Sequence, residues 1–139
     1  MKKKRIQVSS AKAKGRFLQQ WTCAKISALL DLPYGPDEMI ASREGSQKGT
    51  DIRLVGEAQK RFPFSVECKF RETWSVTDWM GQAKDNRKEG TDWLLVLKKS
   101  RIHPVVVLDA DVFFRLLAKL EGKEVDDVAI GEDSELPSA

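Results

Sequence analysis

The chain has 139 residues, 41% hydrophobic and 32% charged, which fits about one globular domain and excludes a disordered or membrane-embedded chain. No apolar run approaches the ~18 residues of a membrane span, so no membrane partner is expected. The net charge of +3 hides an asymmetry: residues 1–16 carry seven Lys or Arg and no acid, while residues 121–139 carry seven acids and one Lys. A basic arm suits a polyanion such as nucleic acid and reads equally as a solubilising terminus.

After a basic, flexible arm over residues 1–13, a first helix is expected from about Lys14 to Leu32. Phe17, Trp21, Ala24 and Ala28 recur there at helical spacing, and Leu18, Leu29 and Leu32 widen the stripe. The run LPYGP at 32–36 ends it. Residues 41–50, ASREGSQKGT, read as a polar loop, and DIRLV at 51–55 as a short strand. Residues 56–63 connect, with room for a helical turn, to FSVECKF at 64–70. The strict alternation of that segment predicts a half-buried strand. Ser75 through Asp78 offers a capping-box start for a helix reaching Lys88, with Asp where the box usually has Glu or Gln. WLLVL at 93–97 and PVVVL at 104–108 are continuous apolar runs suited to interior strands. Asp109 caps a last helix through Leu120, which Gly122 terminates. The expected fold class is α/β in the order α-β-β-α-β-β-α, with a central mixed sheet flanked by helices. One domain spans 14–121, and an acidic, flexible tail follows over 122–139.

The start, MKKKRIQVSSAKAKGR, lacks the apolar stretch of a secretory signal. Cys23 and Cys68 stand far apart with no CxxC spacing, which argues against a disulfide scaffold or structural zinc. A reduced, cytoplasmic setting is expected. Cys23 has no nearby His to make it a nucleophile, and the single histidine, His103, lacks the partners of a zinc hydrolase. Trp21 and Trp93 read as core. Trp74 and Trp79 read as core or dimer packing before base stacking.

On the 64–70 strand, Ser65, Glu67 and Lys69 share one face, and Val66, Cys68 and Phe70 the other. An acid beside a lysine on a strand is, alone, an ordinary surface ion pair. The context changes this, because Asp51 opens the preceding strand and a hairpin-like pairing brings a second carboxylate beside Glu67. Two adjacent carboxylates repel unless a cation lies between them. Hard oxygen ligands suit Mg²⁺, and a neighbouring lysine stabilises an anionic nucleophile or developing phosphorane charge.

The array Asp51…Glu67, Cys68, Lys69 resembles the D…(E/D)xK signature of the PD-(D/E)XK nuclease superfamily. The segment GSQKGTD at 45–51 is similar to the approach found in archaeal Holliday-junction resolvases. The phrases KGRFLQ at 14–19, FPFSVECK at 62–69 and Gln82 with Ala83 resemble small phage-encoded endonucleases of the superfamily. The resemblance implies a restriction-endonuclease-like fold and a DNA substrate. It also implies Mg²⁺ as cofactor, with Mn²⁺ able to substitute. Asp51 and Glu67 would be metal ligands, joined by the backbone carbonyl of Cys68, and Lys69 would orient or activate the attacking water. Gln82 would place Lys69, the water or a phosphate. Gln19 stands where the resolvases have a glutamate, which leaves the number of metal ions open, and Thr50 stands where the motif has proline. Lys14 and Arg16 would contact DNA, and Lys48, in the loop before Asp51, reads equally as a phosphate contact and as a solvated loop lysine. Lys14 and Arg16 stand at the expected helix start, where free backbone N–H groups favour anions.

The expected function is a Mg²⁺-dependent endonuclease selective for branched DNA, acting in phage DNA recombination, repair or processing within a bacterial host. It is expected to leave a 5′ phosphate and a 3′ hydroxyl and, for symmetric cutting, to act as a C2 homodimer. Two alternatives stand beside it. One is a nuclease on linear or single-stranded ends, and the other is a non-catalytic DNA-binding module with the same fold.

Overall fold

A computed structural model of the protein describes residues 7–43 and 49–124. The described elements are α1 (Gln7–Leu30), β1 (Ile40–Ser42), β2 (Ile52–Leu54), α2 (Gly56–Arg61), β3 (Phe64–Phe70), α3 (Val76–Asn86), β4 (Asp92–Lys98), β5 (Val105–Leu108) and α4 (Ala110–Leu120). The class is mixed α/β as expected, with two corrections to the order. A short strand, β1, lies inside the segment read as polar loop, and the connection before β3 is a true helix, α2. The single central sheet is also corrected. β1 and β2 form an antiparallel pair, while β3, β4 and β5 form a separate mixed sheet in that order.

The chain divides into two units, residues 1–107 and 108–139. In the first, α1 begins at Gln7, two turns before the expected Lys14. It ends with Asp31 in the left-handed region at φ 58°, whose N–H returns to Ser27 O at 2.8 Å, a C-terminal closure usually made by glycine. The buried stripe of α1 is Leu18, Thr22, Cys23, Ile26 and Leu30. This corrects the expected stripe, since Phe17 and Leu29 are more than half exposed.

α1 packs on β1 and β3, and α3 packs on β3 and β4, so β3 is covered on both faces. That is why its first four residues are all buried where alternation predicted a half-buried strand. Trp79 and Ala83 of α3 join Trp93, Leu95 and Leu97 of β4 in one apolar cluster, with Trp74 packed against it. Burying each such leucine stabilises by about 1.5–3 kcal/mol. Ser75 does precede α3, but its side chain makes no capping bond. The 104–108 run is corrected from interior to edge strand, with Val105 and Val106 exposed. No described helix is long and apolar enough to cross a membrane.

In the second unit, α4 is capped as its sequence predicts. Asp109 Oδ1 accepts the N–H of Asp111 at 2.8 Å, and Gly122 closes the helix at φ 72°. Phe113, Phe114, Leu116, Leu117 and Leu120 are exposed on it.

Candidate active site

β3 organises the site through its backbone as much as through its side chains. Its odd-numbered peptide groups face β4: Pro63 O accepts from Asp92 N at 3.1 Å, and Arg71 N donates to Lys98 O at 3.0 Å. The N–H and C=O of one strand residue point to the same edge, so the even-numbered groups face away from β4. Asp51 is docked against that edge. Its N–H donates to Val66 O at 3.1 Å, and its Oδ2 accepts the N–H of Cys68 at 2.7 Å. The expected hairpin between the two segments is thus replaced by one backbone bond and one carboxylate bond. The Cys68 carbonyl lies on the same edge as Asp51.

Asp51 is held from the other side too. Arg43 N donates to Asp51 O at 2.8 Å, and Arg43 Nε donates to Thr50 O at 2.7 Å. Buried Thr50, at the position of the motif's proline, turns its hydroxyl onto Ile52 O at 2.9 Å. These bonds fix the residues that enter β2.

Glu67 and Lys69 lie in register with Leu95 and Leu97 of β4, on the face that α3 covers. Glu67 is 8% exposed, and among the described residues its buried Oε2 has no hydrogen-bond partner. Burial, followed by the charge of Asp51, pushes the Glu67 carboxyl up to about 7, against the opposing effects of Lys69 and a hydrogen bond from Asn86. Burial also raises Asp51, while the Cys68 N–H and Lys69 counteract it. The two carboxyl groups stand close enough to act on each other's ionisation. Lys69 Nζ sits 5.8 Å from the Trp79 ring centroid, and its charge acts on both acids.

This pair fits a hard divalent cation. A buried carboxylate oxygen without a partner is costly, and two like charges side by side are stable only when a positive charge joins them. Among the described residues, no three His, Cys, Asp or Glu side chains converge as a metal cluster. A third ligand from the protein would therefore be an oxygen of another kind, such as the Cys68 carbonyl.

Other expected residues fall differently. Gln82 is exposed on α3, and it is Asn86, four residues later, that bonds Glu67. Sequence reading missed Asn86, although helical i, i+4 spacing from Gln82 puts both on one face. Gln19 is part-buried on α1, and among the described residues it has no hydrogen bond to either acid. The earlier start of α1 removes the helix-terminus reason for anion binding at Lys14 and Arg16, whose peptide groups lie inside the helix. Lys48, with residues 45–47 of the expected approach, lies outside the described residues. Neither thiol is activated. Burial pushes Cys23 up to about 11 and raises Cys68 also. His103 stacks edge-on against Trp21 at 5.9 Å.

Residues 35–135 match the family described as "phage putative PDDEXK endonuclease". That span includes Asp51, Glu67, Cys68, Lys69, Gln82 and Asn86. No curated protein and no solved structure matches the chain.

Proposed function

The chain belongs to the phage PDDEXK endonuclease family and is accordingly a phosphodiester hydrolase acting on DNA; from that premise we propose a Mg²⁺-dependent, structure-selective endonuclease that nicks branched DNA as a homodimer. One observation carries the assignment of the site: half-buried Asp51 stands beside buried Glu67, and among the described residues Glu67 Oε2 has no partner. Asp51, Glu67 and the Cys68 carbonyl would hold the cation, with Gln19 as a further oxygen donor. Bound there, Mg²⁺ supplies charge neutralisation at the phosphate and lowers the pKa of a water.

The chain's own residues do the rest. The Cys68 N–H holds one Asp51 oxygen, so the other is left for the cation. Asn86 holds Glu67, favouring its ionised form. Lys69 carries a positive charge beside both acids, where it orients the attacking water and offsets charge developing on the phosphate. Gln82, on the exposed face of α3, meets a phosphate or that water. Lys14, Arg16 and Lys48 contact the DNA backbone.

The preference for branched DNA rests on the likeness of residues 45–51 and of Lys14 with Gly15 to Holliday-junction resolvases. Homodimerisation follows from the need for two symmetric cuts. Exposed Val105 and Val106, and separately the apolar side chains of α4, are surfaces that a second copy would cover. The test is a nicking assay on labelled four-way junction, flap, duplex and single strand, with Mg²⁺ or EDTA. Paired symmetric nicks in the junction are expected. Cutting confined to single strands or duplex ends removes the branched-DNA reading. Tight binding without cutting in Mg²⁺ or Mn²⁺ removes the assigned catalytic roles.

A further inference from the structure

The carboxyl ends of β3 and β4 gather three lysines, Lys14, Lys98 and Lys99, of which only Lys14 has a DNA contact assigned above. Phe70 and Lys98 are in register there. Lys14 Nζ from α1 and Lys98 Nζ from β4 both lie over the Phe70 ring, 5.4 and 5.2 Å from its centroid. Phe17 braces that ring edge-on at 6.5 Å. In the next loop, Lys99 Nζ lies 5.9 Å from the Trp74 centroid, and the Trp74 indole N–H donates to Arg71 O at 2.9 Å. Glu72 ties the loops after β3 and β4 together. Its carboxylate accepts from Ser100 Oγ at 2.8 Å and from Ser100 N at 3.1 Å. The same carboxylate lies 3.8 Å from Lys14 Nζ.

We propose that Lys14, Lys98 and Lys99, seated on Phe70 and Trp74, form a ledge that grips the DNA backbone beside the scissile phosphate, with Glu72 as its electrostatic brake. The proposal rests on the nuclease reading of Asp51 and Glu67, and extends it to where the flanking strand lies. Exposed cation–ring contacts stabilise by only about 0.5–1 kcal/mol each, which gives no structural reason to collect like charges at one edge. A polyanion does give one, because each neutralised phosphate releases counterions. The rings hold the ammonium groups in place before the DNA arrives, so less side-chain freedom is lost on binding. The position also fits, since ligands of open α/β sheets bind beyond the carboxyl ends of the strands. Phe70 lies three residues beyond Glu67, about 10 Å along the strand, or a few nucleotides of backbone. Lys98 also donates to Ile102 O, so it serves the turn as well as the ledge.

The test is binding of a fluorescein-labelled four-way junction, and of duplex, to the full chain in EDTA over a salt series. The variants are the Lys14→Gln/Lys99→Gln double, Glu72→Gln, and a Lys25→Gln/Lys60→Gln control with the same charge loss elsewhere. Lys98 is left in place because of its bond to the turn, and each variant's melting curve establishes folding. The Lys14/Lys99 double should lower the slope of log K against log salt by about two and weaken both probes about tenfold or more. Glu72→Gln should bind more tightly, a direction that damage to the fold cannot produce. A Lys14/Lys99 double that tracks the control, or Glu72→Gln binding no more tightly than wild type, overturns the ledge. Failure of the nuclease reading shows separately, as wild-type protein that binds DNA with the expected slopes but never nicks it in Mg²⁺ or Mn²⁺. Wild-type protein that binds neither probe overturns both.

Discussion

The backbone N–H of Cys68 donates to the Asp51 carboxylate at 2.7 Å, so a side chain takes the place that a neighbouring strand would occupy on the free edge of β3. The bond has an electrical consequence. A donor to a carboxylate favours its ionised form, and it opposes the burial that raises Asp51. Glu67 has its Oε2 buried with no donor among the described residues and stands next to that charge. When no cation is bound, Glu67 is therefore the acid that keeps the proton.

Glu67→Gln should separate stability from activity. At about pH 8 the wild-type carboxylate is charged and buried beside Asp51, and an amide removes that charge at nearly constant shape. With Glu67 pushed up to about 7, the metal-free variant is expected to gain about 1–3 kcal/mol in urea denaturation while losing nicking altogether. A destabilised variant would contradict the burial argument, and an active one would contradict the role of Glu67.

The same group sets a pH dependence. Its folded pKa of about 7 lies above the usual 4.5, so the native state holds a proton that the unfolded chain releases earlier. Stability from this group is complete below about pH 4.5 and is lost as pH rises through about 7. The melting temperature of metal-free protein should fall across that window. Because cation binding needs both acids ionised, added Mg²⁺ should raise the melting temperature more at about pH 8 than at about pH 5. Equal increments at both would place the bound ion elsewhere.

Much of this site was legible because its chemistry sits in a short segment. Glu67 and Lys69 are two residues apart on a strand, and period two alone puts them on one face. The Asp109 cap was legible for the same reason of locality. What stayed hidden was set by tertiary contact. β1 is only three residues long, with no alternation to read, and exists because Ile40 and Ala41 are buried against β2 and α1. On α1, Phe17 is as apolar as Leu18, but the sequence does not say which of the two meets the sheet. The single-sheet expectation failed because Asp51 meets β3 by one backbone bond and one side-chain bond, and no strand pattern encodes such a junction. Asn86 was missed because its link to Glu67 crosses from α3 to β3.

Asn86 and Gln82 can be ranked by mutation. The Asn86 hydrogen bond lowers the Glu67 carboxyl, so Asn86→Ala should raise it further and move the acid limb of the pH–rate profile upward, with DNA binding unchanged. Gln82, exposed one turn earlier, should leave that limb in place when changed to Ala and act instead on KM or on maximal rate. Profiles recorded from about pH 5 to 9 decide between them, and an unshifted limb in Asn86→Ala would break its link to Glu67.

Lys69→Ala should abolish cleavage, by about a hundredfold or more, with junction affinity in EDTA reduced by no more than the loss of one charge. Removing the lysine also removes the positive charge that favours ionisation of both acids. The residual activity should therefore need higher pH as well as being slower. Wild-type cleavage by this variant would leave Lys69 as a packing partner of Trp79 and nothing more.

Gly49→Ala tests whether the approach to Asp51 must be rigid. Gly49 has φ 109°, a conformation that side chains rarely adopt, and an added Cβ would meet the Arg43 guanidinium at 3.0 Å. Backbone strain should cost about 1–3 kcal/mol, and the displaced Arg43 would release Thr50 O, next to Asp51 in the chain. Arg43→Ala removes the same clamp without the strain. Both variants should lose nicking activity, and only Gly49→Ala should lose the full stability increment in urea denaturation. If Arg43→Ala nicks at the wild-type rate, the Cys68 N–H alone is enough to position Asp51, and the clamp serves the hairpin rather than the chemistry.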